Sequence, residues 1–204
     1  MAVTTVQSLL DKAGTIINDR TNIRWDATEL LGWLNESYQQ IVLLRPDANA
    51  VTAMLALTDN TPLQTIPTDG VALLSITRNQ AGGVVMRADK KILDEQFPNW
   101  YATAPAANIL HYIHDKAVPR QFYVYPQPLT ATVEVIYSAV PNAHTVTTDT
   151  LKLDDRYAPA ILDYIIYRSY QKDADYAENA QRSAAAYQTF LNSLGVKSAT
   201  PAAQ

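Results

Sequence analysis

The stretch from 121 to 139 reads Gln121-Phe122-Tyr123-Val124-Tyr125-Pro126-Gln127-Pro128-Leu129-Thr130-Ala131-Thr132-Val133-Glu134-Val135-Ile136-Tyr137-Ser138-Ala139. In the first arm Phe122 and Val124 share a face opposite Tyr123 and Tyr125. In the second, Val133, Val135 and Tyr137 alternate with Glu134 and Ile136. Period-two alternation marks half-buried strands, and the Pro-rich connection predicts a hairpin with a loop longer than two residues. Working back from here, the same punctuation reaches to about residue 49. Val51–Leu57 reads as a strand, Asp59-Asn60-Thr61-Pro62 as a turn and Val71–Thr77 as a second apolar run. Ala81-Gly82-Gly83-Val84 is a flexible turn. Ala88–Gln96 has a helical look, anchored by Ile92 and Leu93, and Ile109–Ile113 is a further strand.

On both sides of this block the period changes from two to 3.6. Val6, Leu9, Leu10, Ala13, Ile16 and Ile17 mark one helix face, with Thr4 and Gln7 at capping-box spacing. Asp26 and Glu29 form a second capping box. Trp25 before it is placed to staple onto Leu30. Leu30, Leu34, Tyr38, Ile41 and Val42 make the stripe, which Arg45-Pro46 ends. The short link between these helices favours an antiparallel pair. After the polar stretch from His144 to Thr150, Asp154 or Asp155 can cap a third helix, with Pro159 tolerable in its first turn. Its face is Ile161, Leu162, Ile165, Ile166 and Ser169 or Tyr170. The last helix runs from about 176 to 194, with Asp175 and Glu178 at capping-box spacing and Gly195 as the C′ residue. Its expected stripe is Ala177, Ala180, Ala184, Tyr187, Leu191 and Leu194. The tail from Val196 to Gln204 carries no periodic pattern and is expected to be disordered when alone.

The fold class expected is therefore α+β: N- and C-terminal helices forming a four-helix bundle, with a β-rich insertion between them. The boundaries are 1–48 for the first helical hairpin, 49–140 for the insertion with its short helix, 141–195 for the closing pair and 196–204 for a flexible tail.

Composition narrows the function. The 204 residues carry 16 Lys+Arg against 20 Asp+Glu, a net charge of −4. That leaves no surplus of positive charge for a stand-alone nucleic-acid binder. Cys is 0, which excludes disulfides, thiolate metal sites and Cys nucleophiles. Gly is only 6, which argues against Gly-rich phosphate loops. No apolar run approaches the ~20 residues of a membrane span, and the first residues do not read as a secretory signal. A soluble protein in a cytoplasm-like setting is the expectation.

Catalytic patterns are few. His111, His114 and Asp115 are the only local metal-like group, but in a strand positions 111 and 114 point to opposite faces, so a metal site is not expected. Asp154-Asp155 is a carboxylate pair best explained by helix capping. Asp69-Gly70 reads as a turn, and Arg45-Pro46-Asp47 as a helix stop. Trp25, Trp33 and Trp100 read as core and staple residues. No G-x-S-x-G, H-E-x-x-H or Walker A motif is present. Neither catalysis nor a cofactor is expected.

The order of these elements resembles a family, the head-to-tail adaptors of tailed bacteriophages, the group that includes tail tubular protein A. The carriers are the early helix, Trp25-Asp26-Ala27-Thr28-Glu29-Leu30-Leu31 through Trp33-Leu34-Asn35-Glu36, and Arg45-Pro46-Asp47-Ala48. Leu93-Asp94 with Pro98-Asn99-Trp100, Phe122 to Pro128, Tyr137 to Pro141 and the helical pair from Leu153-Asp154 complete them. The likeness covers roughly residues 3–195. It implies a structural virion protein of the neck, assembled in the host cytoplasm. Such proteins form rings, commonly dodecameric, that dock on the portal, continue the channel for double-stranded DNA without sequence recognition, and support a tail or nozzle protein. It implies no membrane contact. Two alternatives stand beside it: a head-closure or stopper protein of a longer-tailed phage, and a small cytoplasmic enzyme or ligand-binding domain.

Tyr fits an assembly role. Of 12 Tyr, ten lie between Tyr112 and Tyr187, and Tyr gives large contact area with a polar tip. Tyr157, Tyr164, Tyr167 and Tyr170 surround more than one face of their helix, and one monomer core is not expected to hide them all. They form the candidate interface together with Tyr123 and Tyr125. In these adaptors a terminal segment often reaches the portal, which makes Val196, Lys197, Thr200 and Pro201 the candidate portal-contacting tail. Twelve copies at −4 would give a ring of about −48, and if some of that charge lines the channel it would keep passing DNA off the wall.

Overall fold

A computed structural model describes residues 3–173 and 177–196 of the chain. Among them are five α-helices, α1 (Val6–Ile16), α2 (Ala27–Leu44), α3 (Lys90–Gln96), α4 (Ala158–Lys172) and α5 (Ala177–Ser193). The strands are β1 (Ala50–Ala56), β2 (Leu63–Thr65), β3 (Gly70–Asn79), β4 (Met86–Arg87), β5 (His111–Ile113), β6 (Gln121–Tyr125) and β7 (Thr132–Ala139). The fold is mixed α+β. It divides into two compact units, one formed by residues 1–48 and 141–204 and the other by 49–140.

In the first unit α4 is the hub: it packs along α5 and also against α1 and α2. One core gathers Val6, Leu9 and Leu10 of α1, Leu30, Leu34, Tyr38 and Ile41 of α2, Ile161 and Ile165 of α4 and Phe190 of α5. The start of α1 differs from the capping box expected at Thr4. The cap is Thr5, whose hydroxyl accepts the Ser8 N–H, and Gln7 instead donates to Asp11. The first-turn N–H groups of Val6 and Gln7 go to the carbonyls of Asp149 and Thr147. Donors that a helix leaves orphaned are thus satisfied by chain more than a hundred residues away.

At α2 the Asp26 carboxylate accepts the Glu29 N–H at 2.9 Å, and Trp25 and Leu30 are both buried. The return half of that box is not made. The Glu29 carboxylate binds the Lys172 ammonium at 2.6 Å instead, so the start of α2, which favours negative charge, meets a cation at the end of α4.

Asp154 caps the short 3₁₀ turn Asp155–Tyr157 that leads into α4, and Pro159 falls in the first turn of α4. Asp175, the expected cap of α5, lies outside the described residues. The inward stripe of α5 is Ser183, Ala186, Phe190 and Leu194, with Ala180, Ala184 and Tyr187 outward. Of the expected stripe Leu194 is buried and Leu191 packs partly on the core, whereas at 183, 186 and 190 the inward positions fall one residue before the expected Ala184, Tyr187 and Leu191. Phe190 is the bulky anchor that sets the rotation, and the Ser183 hydroxyl can face inward because it donates to the Tyr167 carbonyl. Gly195, at φ +69°, reverses the chain. Val196 donates to the Leu191 carbonyl and Gly195 to that of Asn192, a Schellman ending. Val196, the first residue of the expected tail, is thus part of the helix ending.

The second unit holds two sheets, in the orders β1-β7-β3 and β2-β6-β5-β4. Here the expected β6–β7 hairpin is overturned. β6 is paired on its two sides by β2 and β5, and β7 by β1 and β3, so the two arms lie in different sheets. Phe122 and Val124 of one meet Val133, Val135 and Tyr137 of the other within one shared core. Pro126 and Pro128 offer no N–H to a ladder. The connection bonds sideways instead, through the Gln127 carbonyl to Ala106 and the Pro128 carbonyl to Asn60. Alternation revealed the buried face of each arm but not its edge partner. In α3 only Leu93 is an anchor; Ile92 is exposed. Two buried amides complete the unit. Asn79 exchanges two 2.8 Å hydrogen bonds with the main chain of Ile109, and Gln64 pins the main chain of Thr58 and Thr61.

Candidate functional site

The expected interface tyrosines separate into two environments. On α4 and its lead-in, Tyr157 and Tyr164 are buried in the unit's own core, while Tyr167 and Tyr170 are not, so the core hides two of the four. The reason is α5. Tyr164 meets Phe190 edge-on at 5.3 Å between ring centroids, Tyr167 lies 4.9 Å from Tyr187, and Tyr164 lies 5.6 Å from Tyr167. These rings join the two helices. Tyr167 and Tyr170 stay partly open, with the Arg182 guanidinium over the Tyr170 ring at 5.8 Å, and Tyr187 is the exposed rim.

On the second unit Tyr123 and Tyr125 are half-buried and bound into a larger aromatic group. Phe97 stacks on Tyr125 at 5.7 Å, Trp100 on Tyr101 at 3.8 Å, and Tyr101 meets Tyr123 edge-on at 5.8 Å. Trp100 is the buried floor, tied by its indole N–H to Asp94 at 2.8 Å. Phe97 and Tyr101 are exposed at the rim, beside α3 with its exposed Ile92. Phe97 and Tyr101 were not singled out in the sequence. The signal was present in Phe97-Pro98-Asn99-Trp100-Tyr101, three aromatics in five residues, more than so short a turn can bury.

The same unit contains a cleft of about 900 Å³ whose walls include Arg87, Lys90, His114, Lys116 and Tyr123. Its two acids, Asp89 and Asp115, are occupied by the N–H groups of Lys91 and Ala117. Partial burial pushes the His114 imidazole below its ordinary pKa, opposed by its contact with the Pro119 carbonyl. His111 stacks on Tyr125 at 6.3 Å. Among the described residues no group of three His, Cys, Asp or Glu is placed to hold a metal ion.

Asp154 and Asp155 are each committed to main-chain donors. Asp154 accepts the Arg156 N–H; Asp155 accepts those of Val3 at 2.7 Å and Thr4 at 3.1 Å. These bonds hold both carboxyls below the usual carboxylate range, and for Asp155 the Val3 N–H is the largest cause. Asp154 is a local cap, and Asp155 ties the start of the chain to the lead-in of α4. Of the candidate tail, Val196 packs on the helical core, while Lys197, Thr200 and Pro201 lie outside the described residues. No helix among the described residues is long and apolar enough to cross a membrane.

The organised features are thus aromatic and apolar surfaces fixed on a two-unit α+β scaffold, the attributes of a protein that works by contact. Comparison with known families agrees: the chain belongs to the SU10 adaptor protein family, whose model matches residues 4–204. It is a bacteriophage adaptor, and the role that this membership carries is structural. A search of curated proteins finds no match.

Proposed function

We propose that the chain is a head-to-tail adaptor in the sense of tail tubular protein A. Copies form a closed ring, twelve as in the adaptors it resembles, seated beneath the portal. The ring continues the DNA channel and offers the platform on which the tail or nozzle protein builds. The observation that carries this reading is the family match across nearly the whole chain. In this reading α1, α2, α4 and α5 serve as a four-helix body and the β-rich unit as an insertion. Neighbouring copies cover the aromatic rim of Ile92, Phe97, Tyr101, Tyr123 and Tyr125 and the outward edges of Tyr167, Tyr170 and Tyr187. A contact repeated around a closed circle gains strength from its repetition. The segment after Val196, with Lys197, Thr200 and Pro201, reaches the portal. DNA passes without sequence recognition, and of the net charge of about −48 carried by the whole ring of twelve copies, the share that lines the channel keeps affinity low.

Native mass spectrometry of the chain mixed with its portal tests this. Closed rings on the portal are expected, and deletion of 197–204 is expected to spare the fold and lose docking. A chain that stays monomeric beside the portal, or a capsid that builds an infectious tail without it, overturns the reading.

A further inference from the structure

We infer that the outer edge of β1 pairs with the same strand of a second copy. β1 has β7 on one side only. Leu57 donates to the Ala131 carbonyl at 2.9 Å, and the antiparallel register carries that pattern back through Leu55–Val133, Ala53–Val135 and Val51–Tyr137. Bonding direction alternates along a strand, so the N–H and C=O groups of Ala50, Thr52, Met54 and Ala56 point away from β7. Among the described residues those four N–H groups meet no other partner.

Proteins usually guard such edges with brevity, charge, proline, irregular register or cover. Every other outer edge here is guarded. β2 and β4 are three and two residues long. β3 shifts register at three places, and its outer side is engaged by the Pro119 carbonyl, which accepts from Leu73, and by Val85, which donates to Thr77. β1 has seven residues, Ala-Val-Thr-Ala-Met-Leu-Ala, with no charge and no proline, and none of them is buried.

The strand is also its own complement. Paired antiparallel about Ala53, it sets Ala50 against Ala56, Thr52 against Met54 and Val51 against Leu55, while Ala53 meets its counterpart. The hydrogen-bonded pairs, 50 with 56 and 52 with 54, are those whose groups already point outward in both copies. Small residues meet small at the ends and centre, and no charge meets a like charge. Val51, Ala53 and Leu55, now partly buried against the core, gain cover on their open side. The result is one sheet, β3-β7-β1-β1-β7-β3, across a two-fold axis. Such a contact closes at two copies, so it belongs to the free chain and stands or falls apart from the ring. An edge of about 24 Å, at ~3.4 Å per residue, buries far less than the ~800 Å² per partner of stable complexes. The dimer is accordingly weak, with Kd on the order of 100 µM.

Cysteine cross-linking tests the register. Across the axis Ala53 faces its counterpart in a non-hydrogen-bonded pair, where Cα atoms stand ~4.5 Å apart, within disulfide range. The chain has no other Cys. Under mild oxidation at roughly 100 µM, Ala53→Cys is expected to cross-link about tenfold faster than Thr52→Cys, whose thiols are out of register. Sedimentation of the wild type is expected to show a concentration-dependent dimer. Thr52→Pro removes an outward N–H and leaves the β7 ladder intact, so a folded, monomeric protein is expected. If that variant does not fold, the cysteine pair still decides. Equal cross-linking at 52 and 53, a wild type monomeric up to about 1 mM, or a dimer that persists in folded Thr52→Pro overturns the pairing.

Discussion

The hydroxyl of Tyr38 lies 3.0 Å from Nε2 of His144, 106 residues further along the chain, and both side chains are buried. The Tyr38 oxygen also accepts the Lys152 N–H at 3.1 Å. His144 Nδ1 lies 3.3 Å from the Asp149 carboxylate, and its main-chain N–H and C=O both bond the Asn35 side chain. A proton on Nδ1 satisfies the whole set, since Tyr38 then donates to Nε2. Asn35 and Tyr38 are neighbours on one face of α2. Through them the irregular chain after β7 is fastened to that helix.

His144→Ala is expected to destabilise the protein by about 2–4 kcal/mol, because it opens a cavity and leaves the Tyr38 hydroxyl short of a partner. For a chain of this size the melting temperature should fall by roughly 5–12 °C, measurable by calorimetry.

Acid should act through the same residue. Burial pushes the His144 pKa below its ordinary value, with the Asp149 carboxylate opposing in part. The unfolded chain then takes up the proton more readily, with a pKa near ~6.5. Stability is therefore complete above about pH 6.5 and declines as pH falls below it. His114, also pushed down by partial burial, adds to that decline. Melting temperature against pH should show the drop, and His144→Asn combined with His114→Asn should flatten it.

A second decline is expected at lower pH from the carboxylates. The Arg78 guanidinium, with the Thr77 hydroxyl, holds Glu134 down to about 2. The Val3 and Thr4 N–H groups lower Asp155. Their contribution is present above the ordinary carboxylate range and lost as pH falls through the folded values. Asp155→Ala should release Val3 and Thr4, read as faster amide hydrogen exchange at those two positions.

Two glycines should fail for different reasons. Gly195→Ala forces a Cβ into φ +69° but meets nothing nearer than the Arg45 guanidinium at 3.9 Å, so a cost of about 1 kcal/mol is expected. Gly70→Ala would place Cβ 2.6 Å from Ile66 Cδ1 and 2.9 Å from the Tyr137 ring. Packing must move there, and a larger loss is expected, on the order of 1–3 kcal/mol. Urea titration of both variants separates the cases.

The aromatic surfaces were half legible. Tyr123 and Tyr125 could be placed on one strand face by alternation alone. Their grouping with Phe97 and Tyr101 could not, because it depends on how the turn after α3 folds back over β6. Which of the four tyrosines at 157–170 would be hidden was illegible for a related reason. A helix with Tyr on several sides looks unpartnered until α5, rotated by the bulk of Phe190, covers one of those sides.

What the sequence by itself determined is local. It determined the helix spans to within a few residues, the Asp26 cap with Trp25 and Leu30 buried beside it, the Gly195 stop, and which face of β6 and of β7 is buried. Each of these follows from interactions within a few residues, or from a period that the backbone imposes. Only the tertiary structure decided that β6 and β7 join different sheets, that α4 is the hub, that Glu29 serves Lys172, and that His144 in a polar stretch is buried. Those depend on edges, cavities and donors contributed by chain up to about 150 residues away, and neither side-chain periodicity nor turn chemistry carries information over that distance.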